Sequence, residues 1–298
     1  MTRCGYIALL GAPNAGKSTL LNRLVGAKLA IVSPKVQTTR ARLLGIVARG
    51  ESQLVFIDTP GIFAPKRRLE RAMVAAAWEG AKEADIDVVL VDASRGLDAD
   101  TRRILDGLKA AGKRRAVLAL NQIDKAKREA LLPMAAALAQ AYEFERVFMI
   151  SGLNGDGVED LLAYLAGAVP EGPWLFPADE MTDAPLRLLA AEITREQIFL
   201  QLHQELPYAS TVETEAWEEF ADGSVKISQL IHVARDSQKP IVLGKGGSRI
   251  KSIGEAARAE LEKLLGRRVH LFLQVKVSGD WTEDKERYEA MRLDFGDK

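Results

Sequence analysis

The chain has 298 residues, 47% of them hydrophobic and 28% charged, and its 41 basic and 41 acidic side chains give a formal net charge of zero. This composition is typical of a globular protein of about two domains, and no run approaches the roughly 18 consecutive apolar residues of a membrane span. A single cysteine, Cys4, excludes an intramolecular disulfide and is typical of a reducing compartment, so we expect a cytoplasmic location.

The first 170 residues alternate short apolar runs with segments of helical spacing. The runs predict strands at 6–10, 43–48, 54–57, 88–91, 116–120 and 147–150, and the spacing predicts helices such as 18–25, 104–111, 129–141 and 158–168. Continuous apolar strands separated by helices favour a mostly parallel sheet that is covered on both faces. The strands at 43–48 and 54–57 follow each other directly, which favours an antiparallel hairpin at one edge.

The pattern changes after residue 170. Three prolines and a glycine within 170–177 favour a linker. The next segments predict a long helix at 186–206, a hairpin of strands 210–217 and 224–234 that turns at Asp222-Gly223, a helix at 248–265 and a strand at 268–277. We therefore predict a first domain at 1–170, a linker at 171–185, a second domain at 186–280 and a C-terminal tail at 281–298.

A glycine-rich loop joins the first strand to the first helix. It reads Gly11-Ala12-Pro13-Asn14-Ala15-Gly16-Lys17-Ser18 and is followed by Thr19. In this position backbone N–H groups and the helix N-terminus face a triphosphate, Lys17 reaches its outer phosphates and Ser18 ligates Mg²⁺. The loop predicts a nucleoside triphosphate with Mg²⁺ but does not identify the base.

Two further segments predict a response to the γ-phosphate. Asp58-Thr59-Pro60-Gly61 ends a strand, where Asp58 can hold a Mg²⁺-bound water and the Gly61 amide can meet the γ-phosphate. In Gln37-Thr38-Thr39-Arg40, one threonine is expected to offer its hydroxyl to Mg²⁺ while the γ-phosphate is present. The sequence does not choose between Thr38 and Thr39.

Two other strand ends predict that the base is guanine. In Asn121-Gln122-Ile123-Asp124, the carboxylate of Asp124 can accept hydrogen bonds from the guanine N1–H and N2 amine, which adenine lacks. Ser151-Gly152-Leu153 ends the last strand of the domain, where a backbone amide can meet the guanine O6. The predicted ligand is therefore GTP or GDP.

A basic segment occupies residues 237–276, with nine Lys or Arg against three Glu. Within it, the loop Gly244-Lys245-Gly246-Gly247 lets the sugar–phosphate backbone of a single strand approach bare main chain, while Lys245, Arg249 and Lys251 supply charge. Four apolar residues nearby would form the floor of a groove for bases or belong to the core: Ile241, Val242, Ile250 and Ile253. The segment predicts binding of single-stranded RNA.

Segments 11–19, 37–40, 58–61 and 121–124 resemble the boxes of the Era family of bacterial GTPases, and the second half resembles the KH domain of that family. The resemblance covers the whole chain. It implies an α/β Ras-like P-loop GTPase domain followed by a C-terminal α+β KH-like domain of type II, and slow GTP hydrolysis that acts as a switch. It also implies binding to the 3′ end of the small-subunit (16S-type) ribosomal RNA, a role in assembling the small ribosomal subunit, and a peripheral fraction at the inner membrane. We expect a monomer.

Two residues depart from the usual pattern. Gln122 stands where guanine boxes usually carry Lys, which puts nucleotide affinity in question, and Ile62 stands where Ras-like enzymes carry a water-positioning Gln. Asn14 offers a substitute, because its side-chain carbonyl could help to hold K⁺ beside the phosphates; alternatively, Asn14 only suits a tight loop. The residues expected to take part in hydrolysis are Asn14, Lys17, Thr38, Thr39 and Gly61.

Three classes of function fit these motifs. The first is a regulatory GTPase that binds RNA, and the second is an RNA-binding module whose nucleotide site binds GTP but barely hydrolyses it. The third is a small-molecule kinase built on the same phosphate loop. A kinase should carry a substrate pocket or lid where the guanine boxes lie here, so the sequence favours the GTPase.

Overall fold

The computed structural model describes residues 1–35, 39–40, 42–112, 115–203, 206–279 and 284–295. The chain forms two compact units. The first comprises Met1–Ala30, Thr39–Asp183 and Tyr288–Lys298, and the second comprises Ile31–Thr38 and Ala184–Arg287. Gln37 and Thr38, which belong to the candidate first switch, lie outside the described residues.

The first unit is built on a six-stranded sheet. Its strands are β1 (Arg3–Gly11), β2 (Leu43–Arg49), β3 (Ser52–Asp58), β4 (Ile86–Asp92), β5 (Ala116–Asn121) and β6 (Arg146–Met149). Its helices are α1 (Lys17–Val25), α2 (Arg68–Glu83), α3 (Ala99–Ala110), α4 (Arg128–Ala141) and α5 (Val158–Ala168). The strand order is β2-β3-β1-β4-β5-β6; among these described strands β2 and β3 pair antiparallel, and the other neighbours pair parallel. The predicted α/β fold with its edge hairpin is confirmed.

Burial explains the parallel sheet. Every residue of β3 and β5 is buried, which requires cover on both faces of the sheet. Since parallel strands end at the same edge, the loops that follow β1, β3 and β5 lie side by side. That edge carries the nucleotide motifs.

Two helices of the first unit differ from the prediction. Helix α3 begins earlier than residue 104 because Asp98 caps its first turn, where Oδ1 accepts a hydrogen bond from Thr101 N at 2.8 Å. Helix α2 is not among the predicted elements, although Leu69, Met73 and Ala77 are buried at a helical spacing of four. Those three residues are the signal that could have found it.

The second unit is an α+β domain with a three-stranded sheet. Its elements are α6 (Leu186–Gln201), β7 (Ser210–Glu219), β8 (Val225–Val233), α7 (Lys239–Leu243), α8 (Ser248–Leu265) and β9 (Val269–Val277). β8 is central, antiparallel to β7 and parallel to β9. Buried residues alternate along most of β8, and the hydrophobic core joins Ile193 of α6, Ile227 of β8 and Leu261 of α8. The predicted KH-like element order is confirmed.

Helix α6 ends at Gln201, five residues before the predicted end. Leu202 has an extended backbone, and both Leu202 and Leu206 are buried in the core with Ile198. The apolar spacing that predicted a longer helix therefore reflects burial in the core rather than helical structure.

Residues 31–35, which are distant in sequence, also contact α6. Val32 N donates to Glu196 Oε1 at 2.8 Å, and Lys35 Nζ donates to the carbonyls of Leu202, at 2.6 Å, and Phe199. The lysine charge thus lies at the C-terminal end of the helix, where carbonyls lack helical partners and the dipole is negative. Residues 31–35 belong structurally to the second unit.

The proline-rich segment 170–177 belongs to the first unit, where it bonds to Gln53 of β3 and to Glu51 just before that strand. Trp174 Nε1 donates to Glu51 O at 3.1 Å, and the side chain of Gln53 bonds the backbones of Leu175 and Phe176. These contacts order part of the segment that the sequence assigns to a linker.

The chain ends with helix α9 (Lys285–Ala290) and a segment that belongs to the first unit. In that unit Arg292 pairs with Asp183 at 2.7 Å, and the Arg68 guanidinium lies 4.4 Å from the centre of the Phe295 ring. Within the described ranges, none of the helices is both long enough and apolar enough to span a bilayer.

Candidate functional site

The phosphate loop lies between β1 and α1. Asn14 (φ 64°) and Gly16 (φ 93°) adopt left-handed conformations that turn the backbone into the helix. A Cβ on Gly16 would lie 2.3 Å from Asn121 Nδ2, so only glycine fits at this position. The N-terminus of α1 consequently opens onto the loop, as an anion-binding site requires.

Lys17 is buried within this loop. Its Nζ donates to Gly11 O and Ala12 O, each at 3.1 Å. Burial lowers the pKa of Lys17 to about 8, and the charge of Asp58 partly opposes this shift. A phosphate would give the buried ammonium an anionic partner.

Three oxygen-bearing side chains meet beside Lys17. Ser18 Oγ lies 2.8 Å from Thr39 Oγ1 and donates to Asp58 Oδ2 at 2.9 Å. Asp58 is fully buried, and its Oδ1 has no hydrogen-bond partner among the described residues. Burial raises the pKa of Asp58 to about 6, while Lys17, Ser18 and Thr39 oppose the shift. Two hydroxyls and an unsatisfied carboxylate oxygen form a donor set that fits Mg²⁺. The structure places Thr39 in this cluster, whereas Thr38 lies outside the described residues.

The segment after Asp58 returns to the phosphate loop. Thr59 Oγ1 donates to a carbonyl of β1 at 2.7 Å, and Ile62 N donates to Gly11 O at 3.1 Å. Gly61 touches the loop so closely that a Cβ on it would lie 2.9 Å from Pro13 N. Ile62 is fully buried in the core of the first unit, so its side chain cannot orient an attacking water.

Asn121 ties the guanine box to two other loops. Its Nδ2 donates to Ala15 O at 2.8 Å, and its Oδ1 accepts from Gly152 N at 2.9 Å. Since Asn121 is buried and both ends of its amide are bonded, the phosphate loop and the 151–153 loop are held in register.

Asp124 presents its carboxylate to solvent at the same edge. Ser151 Oγ donates to Asp124 Oδ1 at 2.7 Å and thereby orients the group. An exposed, oriented carboxylate beside a phosphate loop can accept the donors of a guanine edge. Leu153 is 62% exposed, and its backbone lies in the neighbouring loop.

Three residues that no motif marks also shape this edge. Asn22 Oδ1 accepts from Leu29 N and Ala30 N and so fixes the chain that leaves α1. Arg23 donates to the carbonyls of Gly152, at 3.4 Å, and Leu153. The third residue is Lys125, which donates to the Gln122 side chain at 2.7 Å. The contacts of Arg23 join residues about 130 positions apart, so a scan for motifs cannot find them, whereas those of Asn22 and Lys125 are local.

The basic loop of the second unit joins α7 to α8. Gly246 has φ 61°, and a Cβ built on it meets no atom within 4 Å, so the backbone is open to a ligand there. Lys245, Arg249 and Lys251 are exposed, and Arg249 Nη1 donates to Ile241 O at 3.2 Å. The loop offers charge and bare main chain on one surface.

The four apolar residues considered for a groove floor separate into two kinds. Val242 and Ile253 are fully buried in the core, and Ile250 packs partly buried against them. For Val242 and Ile253 the structure therefore selects the core, which is one of the two alternatives that the sequence leaves open. Ile241 is 49% exposed and remains available to a ligand.

The edge of the first unit thus meets the needs of both a triphosphate and a guanine base, and this unit is that of a P-loop GTPase. The family model described as 50S ribosome-binding GTPase matches residues 6–122, and the KH domain model matches residues 205–282.

Curated relatives match the chain over nearly its whole length. GTPase Era of Rhizobium meliloti is 59% identical over 294 residues, covering 99% of this chain and 94% of the relative, and that of Dinoroseobacter shibae is 56% identical over 298 residues, covering 99% and 97%. A solved structure of Era in complex with MgGDPNP and nucleotides 1506–1542 of 16S ribosomal RNA is 38% identical, with a TM-score of 0.93 over 98% of this chain and 99% of that one. A variant of Aquifex aeolicus Era bound to GDP.AlF4- is also 38% identical, with a TM-score of 0.92 over 97% and 99%. The chain belongs to the GTPase Era family.

Proposed function

We propose that this GTPase binds the 3′ end of small-subunit ribosomal RNA and assists assembly of the small subunit, with GTP as the switch. The observation that carries the proposal is the similarity to Era in complex with MgGDPNP and a 16S ribosomal RNA fragment, which extends over 98% of the chain. The two loops that such a complex needs, 11–18 and 244–247, both occur here. The first contains the buried Lys17, and the second lies beside the exposed Lys245, Arg249 and Lys251.

In this proposal Lys17 binds the outer phosphates and Asp124 selects guanine. Ser18 and Thr39 would hold Mg²⁺ directly, and Asp58 would hold it through water. The ion would neutralise phosphate charge during hydrolysis. Asp58 Oδ1 has no hydrogen-bond partner in the part of the chain that the structure describes, and a buried carboxylate oxygen needs one, which supports this assignment.

Water attack must be assisted without a polar side chain at position 62. The Gly61 amide lies against the phosphate loop, where it can donate to a γ-phosphate. Asn14 is exposed on that loop, and we propose that its side-chain oxygen helps to hold K⁺ beside the phosphates.

RNA binding is assigned to residues 244–251, with Lys245, Arg249 and Lys251 facing phosphates. We propose that the protein acts as a monomer in the cytoplasm, with a peripheral fraction at the inner membrane. The membrane fraction rests on family resemblance alone, and fractionation of cell lysates with an antibody against the chain tests it.

A second candidate is an RNA-binding module that binds GTP and barely hydrolyses it, which the buried Ile62 favours. Single-turnover GTP hydrolysis, with Lys17→Ala as control, separates the two. Release of phosphate by the wild type but not by the variant supports the switch. Crosslinking of RNA to residues 244–251, with and without a non-hydrolysable GTP analogue, tests whether nucleotide controls RNA binding. Crosslinks to another region would contradict the RNA assignment.

A further inference from the structure

The Gln122 side chain forms a hydrogen bond to the phosphate loop, although it is shorter than the usual lysine and uncharged. It has a left-handed backbone (φ 62°) directly after β5, and its Nε2 donates to Asn14 O at 2.8 Å. A neutral amide has a donor end and an acceptor end, so this bond forms in only one of the two orientations of the amide.

Lys125 fixes that orientation. Its Nζ donates to Gln122 Oε1 at 2.7 Å. Rotation of the amide by half a turn would place Oε1 against the Asn14 carbonyl and the NH₂ group against the ammonium of Lys125. Both hydrogen bonds would be replaced by repulsion, so the ammonium and the carbonyl select the same orientation.

The backbone places Lys125 where it can do this. Residues 123–125 form a short 3-10 turn, and Lys125 N donates to Gln122 O at 2.9 Å. Asp124 lies on the same turn, so the residue that meets the base and the residue that holds Gln122 are neighbours. The Lys125–Gln122–Asn14 bridge, defined by the two side-chain hydrogen bonds, therefore connects the base-selecting turn to the phosphate loop.

We propose that Lys125 is a positioning residue for guanine nucleotide. It acts through Gln122, because it holds the Gln122 side chain in one orientation between Asp124 and the phosphate loop. The inference rests on the assignment of the guanine site to Asp124. It also explains how this chain tolerates Gln122: an ammonium group three residues later bonds to the amide and holds it in the orientation that reaches the phosphate loop.

The test is the rate of GDP release, measured by the fluorescence of a labelled GDP chased with unlabelled GDP. We expect Lys125→Met to accelerate release about fivefold, since a hydrogen bond to a charged group is lost at an exposed site. Lys125→Arg, which keeps a cationic donor, should stay within about twofold of wild type. Lys127→Met, at an exposed lysine two residues on, is the matched control and should change nothing.

The decisive measurement is the same substitution in a Gln122→Lys background. There two ammonium groups would face each other, so Lys125→Met should leave release unchanged or slow it. Equal acceleration in both backgrounds, or no acceleration in the wild-type background, would overturn the inference.

Asp124→Ala tests the guanine site independently of the Lys125–Gln122–Asn14 bridge: it should accelerate GDP release far more than Lys125→Met. An unchanged rate for Asp124→Ala overturns the site assignment and the inference together, whereas a large effect of Asp124→Ala with none of Lys125→Met overturns only the inference. Equal melting temperatures exclude unfolding as the cause.

Discussion

Thr39 Oγ1 lies 2.8 Å from Ser18 Oγ, and Asp58 Oδ2 is within 3.5 Å of both hydroxyls. This proximity favours Thr39 over Thr38 as the Mg²⁺ ligand. We expect Thr39→Ala to lower Mg²⁺-dependent GTP hydrolysis by about 10-fold or more, as loss of a residue that supports a metal typically does. Thr38→Ala is the matched control and should retain most activity. The reverse ranking in single-turnover assays would contradict the assignment.

The raised pKa of Asp58 predicts a pH dependence of Mg²⁺ binding. Protons compete with the cation for this carboxylate up to a pH of about 6, rather than only near its ordinary value of 3.8. As pH falls below about 6, the Mg²⁺ concentration needed for tight GTP binding should rise about tenfold per unit. Asp58→Asn should bind Mg²⁺ weakly at every pH and abolish the dependence.

Two points define that pH experiment. The assays belong between pH 5 and 7, because the pKa of Lys17 is about 8 and its titration would otherwise contribute. The free energy of unfolding depends on pH in the opposite direction to Mg²⁺ binding. Because the pKa of Asp58 is raised, protons favour the native state. The contribution of Asp58 to stability is therefore present at low pH and falls as pH rises from 3.8 to about 6. If the Mg²⁺ concentration needed for tight GTP binding stays constant between pH 5 and 7, the prediction is contradicted.

Asn14 predicts a dependence on the monovalent cation. If its side-chain oxygen helps to hold K⁺, hydrolysis should be on the order of tenfold faster in K⁺ than in Na⁺, and Asn14→Ala should remove the difference. GTP affinity, measured in both salts, is the control and should stay close to that of wild type. Equal wild-type rates in the two salts would show that Asn14 only suits the loop.

Lys245 and Lys251 predict the salt dependence of RNA binding. Each phosphate contact with a single strand contributes about −0.7 to the slope of log K against log salt, so replacing both lysines with Ala should reduce the slope by about 1.4. Lys263→Ala, at the other end of α8 and paired with Glu260, should leave it unchanged. Titration of an oligonucleotide of the 16S 3′ end across salt concentrations measures the slope. An unchanged slope for the double variant would show that the RNA interface lies outside Lys245 and Lys251.

The phosphate loop could be read from the sequence because its requirements are local. Gly16 has a left-handed backbone (φ 93°), which favours glycine, and Lys17 follows it directly. The same holds for the edge hairpin, where β2 and β3 are joined by too few residues for any other pairing. Local chemistry and short connections leave little choice at these positions.

Other features depend on contacts that spacing does not encode. Arg23 holds the backbone of Leu153 across 130 residues, and the amide orientation of Gln122 depends on the folded phosphate loop. The predicted end of α6 is wrong because Leu202 and Leu206 are buried at helix-like spacing in a chain that has already left the helix. Burial and helical periodicity give the same signal there, and only the packed core distinguishes them.

The contacts of residues 31–35 with α6 have a consequence for synthesis of the protein. Val32 and Glu196, which bond to each other, are 164 residues apart. At about 5–20 residues per second, a translating ribosome adds Glu196 roughly 8 to 33 s after Val32. During that interval residues 31–35 have no α6 to bind, although β1 and α1 precede them and β2 to β6 are synthesised before α6. A fragment that begins at residue 186 lacks these contacts permanently, so an isolated second domain needs residues 31–35, supplied as a peptide or a fusion, to restore the hydrogen bond from Val32 N to Glu196.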